Sequence, residues 1–83
     1  MEFEFSKHAL EQIKLRQISL AIANKVLKNP DQVVKENGNR IYQSIISTAG
    51  KKYLIRIFVN THKTPNLVIT VYKTSKISKY YEG

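Results

Sequence analysis

Residues 53–74 read YLIRIFVNTHKTPNLVITVYKT, and this stretch decides the fold. Apolar side chains alternate with others in both of its halves, which is typical of β-strands. The pattern predicts strands over 53–60 and 67–74, joined by a polar turn at 61–65. The face expected to meet the helices carries Tyr53, Ile55, Ile57, Val59, Leu67, Ile69 and Val71. The opposite face is expected to carry Leu54, Arg56, Phe58, Val68, Thr70 and Tyr72.

Two more strands are predicted before this pair, a short one over 33–35 and its return over 40–47. Asn37-Gly38 lies between them and is a typical signal of a tight β-hairpin. The next turn is predicted at 49–51. Because hairpin-linked strands pair antiparallel, the four strands are expected to form one antiparallel sheet.

The first third of the chain has the periodicity of helices. Ser6 and Ser19 are good N-caps, since a serine oxygen accepts a hydrogen bond from a free N–H of the first turn. They predict helices over 7–16 and 20–28, the second ended by Pro30. Residues 1–5 are expected to form a short strand or an arm. The predicted fold class is α+β, with two N-terminal helices packed on one face of a four-stranded antiparallel sheet, in the order α-α-β-β-β-β.

The composition limits what the chain can be. Its 83 residues leave room for one domain, predicted to span 1–83. The absence of cysteine excludes disulfides and thiol chemistry and favours the cytoplasm. With 14 Lys and Arg against 6 Asp and Glu, the net charge of +8 favours polyanionic partners, chiefly nucleic acid or an acidic protein. No apolar run is long enough to predict a membrane span.

Arg56 is the first candidate for a binding residue. It interrupts an otherwise apolar strand, which is costly unless its face of the sheet is open or its charge is paired. One interpretation is a cross-strand cation on a solvated face. The other is an anion-binding residue that works with Thr70 and Tyr72, whose hydroxyl and phenol would help to bind phosphate and to stack a base.

Two further groups of residues could serve an RNA site. His8, Gln12 and Arg16 have helical spacing, and a histidine and an arginine on one stripe suit RNA cleavage. They are also explained by a capping histidine and a solvated arginine. The C-terminal run alternates basic and aromatic residues, which suits either a nucleic-acid backbone with exposed bases or a charged chain end.

Several chemistries are not favoured. The glycines are isolated rather than gathered in a phosphate-binding loop, and the acidic residues do not cluster as in a two-metal nuclease. His8 and His62 lie far apart in the sequence, which argues against a metal site formed by these two residues. We therefore expect no metal and no cofactor.

Five segments carry a resemblance to a known family. They are FSKHALEQI at 5–13, RQIS at 16–19, NPD at 29–31, RIYQ at 40–43 and VITVYKTSK at 68–76. They resemble an uncharacterised prokaryotic family, domain-of-unknown-function family 4258, from about residue 5 to residue 80. Members often carry a second basic residue where this chain has Gln12. The layout of the family is similar to RelE and BrnT toxins of toxin–antitoxin modules, and to barnase-like and EndoU-like ribonucleases.

This resemblance implies a metal-independent endoribonuclease, in which the 2′-OH of the RNA attacks the adjacent phosphate. Its implied catalytic residues are His8 as the base, Arg56 as a phosphate holder, Tyr72, or alternatively Tyr80, as a stacking or proton-donating group, and Lys73 at the leaving oxygen. Arg16 is implied as a second phosphate holder. The predicted RNA-binding residues are Arg16 and Tyr80, together with Thr70 from the face of Arg56 and Thr74 and Lys76 from the C-terminal run. The implied partners are RNA, ribosome-bound mRNA included, and an acidic antitoxin protein.

Two other functions stay open at this point. A non-catalytic nucleic-acid-binding module needs only the charge and the aromatic surface. A basic partner of an acidic antitoxin or of a neighbouring subunit needs only the charge.

Overall fold

The computed structural model describes residues 2–82 of the chain. Its elements in chain order are β1 (Phe3–Phe5), α1 (Lys7–Leu15), α2 (Leu20–Lys28), β2 (Gln32–Glu36), β3 (Asn39–Thr48), β4 (Lys51–Asn60), β5 (Asn66–Thr74) and α3 (Ile77–Tyr80). The two predicted helices and four predicted strands are confirmed as elements, with ends that differ by at most two residues. The short helix α3 was not predicted.

The five strands form one mixed sheet in the order β1-β5-β4-β3-β2. Strands β2 to β5 pair antiparallel, whereas β1 pairs parallel with β5 over Asn66 to Val68. The prediction of a four-stranded antiparallel sheet in the order α-α-β-β-β-β is therefore wrong. The observed order is β-α-α-β-β-β-β, followed by α3.

The first strand joins the sheet for two reasons. The edge of β5 has backbone groups with which β1 pairs, and the phenylalanines of β1 pack against the core. The Ser6 N–H continues the pairing by donating to the Val68 carbonyl at 3.0 Å. Phe3 and Phe5 pack against the core, and the Phe3 ring meets the Tyr42 ring edge-on at 5.6 Å. The alternation of residues 1–5 indicated a short strand or an arm, but not the remote strand with which it pairs.

The caps of the two long helices are confirmed. The Ser6 hydroxyl accepts from the Ala9 N–H and also donates to the Ile69 carbonyl, both at 3.0 Å, so it ties α1 to β5. The Ser19 hydroxyl accepts from the Ile22 N–H at the start of α2. Both helices pack on one face of the sheet over a core formed by Ala9, Ile13, Ile18, Ala23, Val26, Leu27, Tyr42, Ile55, Ile57, Val59, Val68 and Val71.

A β-bulge changes the faces of β5. Phe58 lies opposite Thr70 and Val59 lies opposite Val68, which leaves Ile69 as the extra residue. Val68 is thereby fully buried in the helix-side core. The sequence prediction, with Leu67 and Ile69 toward the helices and Val68 on the opposite face, is wrong at this point because the bulge reverses the alternation.

The sheet face that α1 and α2 leave uncovered is called the outer face below. It carries Gln43, Arg56 and Tyr72, which lie opposite one another on three neighbouring strands. Residues 77–82, called the tail below, lie over this face and contact it through Tyr80 and Glu82. Within residues 2–82, no helix combines the length and the apolar character that a bilayer crossing requires.

The bulge predicts that substitutions at two neighbouring residues, Val68 and Leu67, change the free energy of unfolding by different amounts. Val68→Asn should destabilise the protein by roughly 3 kcal/mol, because it buries an amide without partners in the core. Leu67→Asn should cost only about 1 kcal/mol, since Leu67 lies opposite Asn60 and away from the helices. Urea unfolding of both variants measures the difference. A larger cost for Leu67→Asn would contradict the bulge.

Candidate nucleic-acid interface

The site is built around Arg56, in the middle of β4. The register of the sheet places Gln32, Gln43, Arg56 and Tyr72 in one row across four strands. Arg56 is only 6% exposed although it carries a charge. Such a group is stable in a protein only when hydrogen bonds and nearby groups replace the water that it has lost.

Gln43 supplies the main hydrogen bond that replaces water at Arg56. Its Oε1 accepts from Arg56 Nε at 3.0 Å. Its Nε2 donates to Gln32 Oε1 at 2.8 Å and to the Tyr80 carbonyl at 3.2 Å. Gln43 is completely buried, and within residues 2–82 every buried side-chain nitrogen or oxygen has a hydrogen-bond partner.

Two aromatic rings and one carboxylate surround the guanidinium of Arg56. Its carbon lies 4.4 Å from the centre of the Tyr80 ring and 5.3 Å from that of Phe58. Cation–π attraction of this kind gains strength where water is excluded. The Glu36 carboxylate is 3.8 Å from Arg56 Nη2, and its side chain is half exposed. The long distance and the exposure of Glu36 make this a weak ion pair.

The contacts continue from Arg56 to the edge of β5. The rings of Tyr72 and Tyr80 meet edge-on at 6.3 Å. The guanidinium of Arg16 lies 4.8 Å from the centre of the Tyr72 ring, and its Nε donates to Gln12 Oε1 at 3.0 Å. Arg16, Tyr72, Tyr80 and Arg56 thus form one chain of contacts, called the arginine–tyrosine cluster below.

The comparison with protein families identifies the chain. The model of the family described as Domain of unknown function (DUF4258) matches residues 5–73. The chain belongs to this family. No curated protein and no solved structure matches it significantly.

The family match includes Arg16, Arg56 and Tyr72 and ends before the tail. The resemblance stated from the sequence is therefore confirmed at the level of the DUF4258 family. Gln12 acts here as the acceptor that holds the side chain of Arg16.

The structure brings together four of the predicted site residues, namely those of the arginine–tyrosine cluster. Thr70 lies near them on the outer face, opposite Phe58. Thr74 is buried and accepts from the Lys76 N–H at 3.0 Å, which shapes the turn into α3, while the side chain of Lys76 is exposed.

Two predicted catalytic residues lie elsewhere. Lys73 lies opposite Ile55 and thus on the helix side of β5, where its Nζ is 3.5 Å from the Arg16 carbonyl and 4.7 Å from the centre of the Tyr53 ring. His8 is exposed on α1, and among residues 2–82 its ring has no hydrogen bond or ring contact. The same residues contain no group of three side chains that could hold a metal ion.

Gln32 and Gln43 were not predicted as site residues. Gln43 and Ser44 lie between the apolar pairs Ile41-Tyr42 and Ile45-Ile46 of β3, and a polar residue in such a strand needs a hydrogen-bond partner. A two-residue turn at Ala49-Gly50 brings Gln43 opposite Arg56 of β4. Gln32 and Glu36 on β2 had no comparable signal, because β2 is mostly exposed.

Replacement of Gln43 should show how much free energy the burial of the Arg56 charge costs when its acceptor is removed. Gln43→Leu should destabilise the protein by about 2 kcal/mol, because Arg56 Nε then lacks an acceptor in a dry site. The matched control is Gln12→Leu, which removes the acceptor of Arg16 Nε where water can replace it and should cost about 0.5 kcal/mol. Urea unfolding measures both, and equal costs would contradict the role given to Gln43.

Proposed function

We propose that this protein is a metal-independent endoribonuclease of the RelE/BrnT type, with RNA bound at the arginine–tyrosine cluster. The observation that carries the proposal is the continuous contact of Arg16, Tyr72, Tyr80 and Arg56 on one face of the sheet. These residue types were expected at an RNA site from the sequence, and they come from β4, β5, α3 and the end of α1.

The chemistry of the cluster supports RNA as the ligand. A guanidinium can bind a phosphate through two parallel hydrogen bonds, and a tyrosine ring can stack on an unpaired base. The net charge of +8 attracts a polyanion to the surface before any specific contact forms. The protein is proposed to act in the cytoplasm, where RNA without fixed structure is available.

In the proposed reaction, the 2′-OH loses its proton and attacks the adjacent phosphorus. A 2′,3′-cyclic phosphate forms, and the bond to the 5′-oxygen breaks as that oxygen gains a proton. Arg56 and Arg16 would stabilise the added negative charge of the transition state. Tyr72 is the proposed proton donor inside the cluster, and His8 is the proposed proton acceptor on the α1 stripe that also carries Arg16.

A second candidate function is RNA binding without cleavage. It is favoured by the positions of Lys73 on the helix side of β5 and of His8 outside the cluster. With these two groups elsewhere, the cluster keeps its binding chemistry but has only phenols for proton transfer.

Cleavage of an unstructured RNA in EDTA tests the first proposal. Arg56→Ala should lower the rate by about 100-fold or more, because the transition state loses a fixed cation. Tyr72→Phe and His8→Ala should each lower it by about 100-fold if those groups transfer protons.

Arg40→Ala is the matched control for Arg56→Ala. It removes the same charge from a neighbouring strand, but Arg40 lies opposite Val59 and thus on the helix side of the sheet. Its rate should stay within about threefold of wild type. Equal rates for Arg56→Ala and wild type would remove the proposal, whereas binding without any cleavage would favour the second candidate.

Salt dependence tests the contact of Arg16 with a phosphate. A 2′-O-methyl RNA lacks the nucleophile and reports binding alone. For a single strand the logarithm of the affinity should fall with the logarithm of salt by about 0.7 per phosphate contact. Arg16→Ala should therefore lower the slope by about 0.7, and Lys28→Ala, at the far end of α2, should leave it unchanged. Identical slopes for Arg16→Ala and wild type would exclude the contact.

A further inference from the structure

The tail covers the group that the proposed function requires. Arg56 has its guanidinium against the Tyr80 ring and is almost inaccessible. While Tyr80 stays in this position, its ring covers the guanidinium and leaves little of Arg56 accessible to a phosphate from the outer face. If Arg56 binds RNA, the tail must first move.

The tail is attached through a few local contacts. The helix α3 has four residues, its N-cap has no side-chain hydrogen bond, and none of its residues is buried. The tail is held instead by Gln32 and Gln43, the two glutamines in the row that contains Arg56. Gln43 donates to the Tyr80 carbonyl, while Gln32 accepts from the Glu82 N–H at 3.0 Å and donates to the Glu82 carbonyl.

One of these two glutamines, Gln43, also holds Arg56. Gln43 uses its oxygen for Arg56 Nε and its nitrogen for Gln32 and the tail. The closed tail and the buried arginine therefore share one hydrogen-bond network. The bond between Arg56 and Gln43 involves no atom of the tail, so an opening of the tail would leave it intact and would expose the guanidinium to solvent.

We infer that residues 77–82 form an autoinhibitory strap, which covers the Arg56 anion site and must open before an RNA phosphate binds there. This inference rests on the proposed function and concerns the regulation of the same site. The bound phosphate would take over the place of the Tyr80 ring beside the guanidinium, and the displaced Tyr80 ring would stack on a base of the same RNA strand. In such an equilibrium the observed dissociation constant is the intrinsic one divided by the fraction of open molecules, so a weaker strap gives tighter binding.

A pair of variants at one position isolates a single strap hydrogen bond. Glu82→Pro removes the N–H that Gln32 accepts, and Glu82→Ala keeps it, while both make the same change of charge. The backbone of Tyr81 is extended, with φ −84° and ψ 124°, which suits the residue before a proline. Gln32→Ala removes both bonds to Glu82 and has Asn24→Ala, on the exposed side of α2, as its control.

The first readout needs no RNA. Phenylglyoxal modifies accessible guanidinium groups, and peptide mass spectrometry compares the rate at Arg56 with that at Arg40 in the same molecule. Glu82→Pro should raise the relative rate at Arg56 about threefold to tenfold over Glu82→Ala, as expected for loss of one hydrogen bond. Gln32→Ala should raise it further, and Asn24→Ala should not change it.

The second readout is the affinity for a 2′-O-methyl RNA. Glu82→Pro should bind about threefold to tenfold more tightly than Glu82→Ala. Arg56→Met should abolish this gain. Weaker binding by Glu82→Pro would overturn the strap, because it would make the closed tail part of the RNA surface.

The two readouts separate the strap from the proposed function. Unchanged modification of Arg56 in both Glu82→Pro and Gln32→Ala would overturn the strap, whatever the RNA result. Faster modification together with no RNA binding in any variant would support the strap and refute the function proposed for the site.

Discussion

The burial of one guanidinium, that of Arg56, is the constraint on which the outer face of this protein depends. A charge in the middle of a sheet must recover the interactions that it loses with water. Here an amide from β3, two aromatic rings and a distant carboxylate supply them. One of those rings is that of Tyr80, so the tail contributes directly to the stabilisation of the buried charge. Within the part of the chain that the structure describes, the core on the helix side consists of apolar residues and Tyr42 and buries no charged group.

Local pattern in the sequence was enough for most elements, and the reason is physical. Ser6 and Ser19 cap their helices through hydrogen bonds within one turn, and strand periodicity depends on neighbours two residues apart. The features that were missed depend on remote partners. Parallel pairing of β1 with β5 joins opposite ends of the chain, and the extra residue Ile69 is visible only in the register between two strands. No property of residues 67–69 alone distinguishes this bulge from regular alternation.

The positions of the site residues were predicted correctly only where side chains alternate regularly between the two faces of a strand. Arg56 and Tyr72 were expected on one face, and they lie directly opposite each other, since the bulge comes before Tyr72 in β5. Tyr72 and Lys73 are adjacent and therefore belong to opposite faces, which divides the basic and aromatic C-terminal run between the two sides of the sheet. Tyr80 could not be placed from sequence, because its position depends on bonds from Gln32 and Gln43 to backbone groups of the tail.

The shortness of β1 explains how α1 can contribute to a site on the outer face. Because β1 pairs with β5 only as far as Val68, the rest of that edge has no fifth strand beside it. The end of α1 lies there: the Arg16 carbonyl faces Lys73 on the helix side, while the Arg16 guanidinium lies against the Tyr72 ring. A single residue thus contacts both sides of β5. The arginine–tyrosine cluster consequently begins at an edge of the sheet and runs inward to Arg56. In the proposed function, an extended RNA would therefore make its first contact at Arg16 while the tail still covers Arg56.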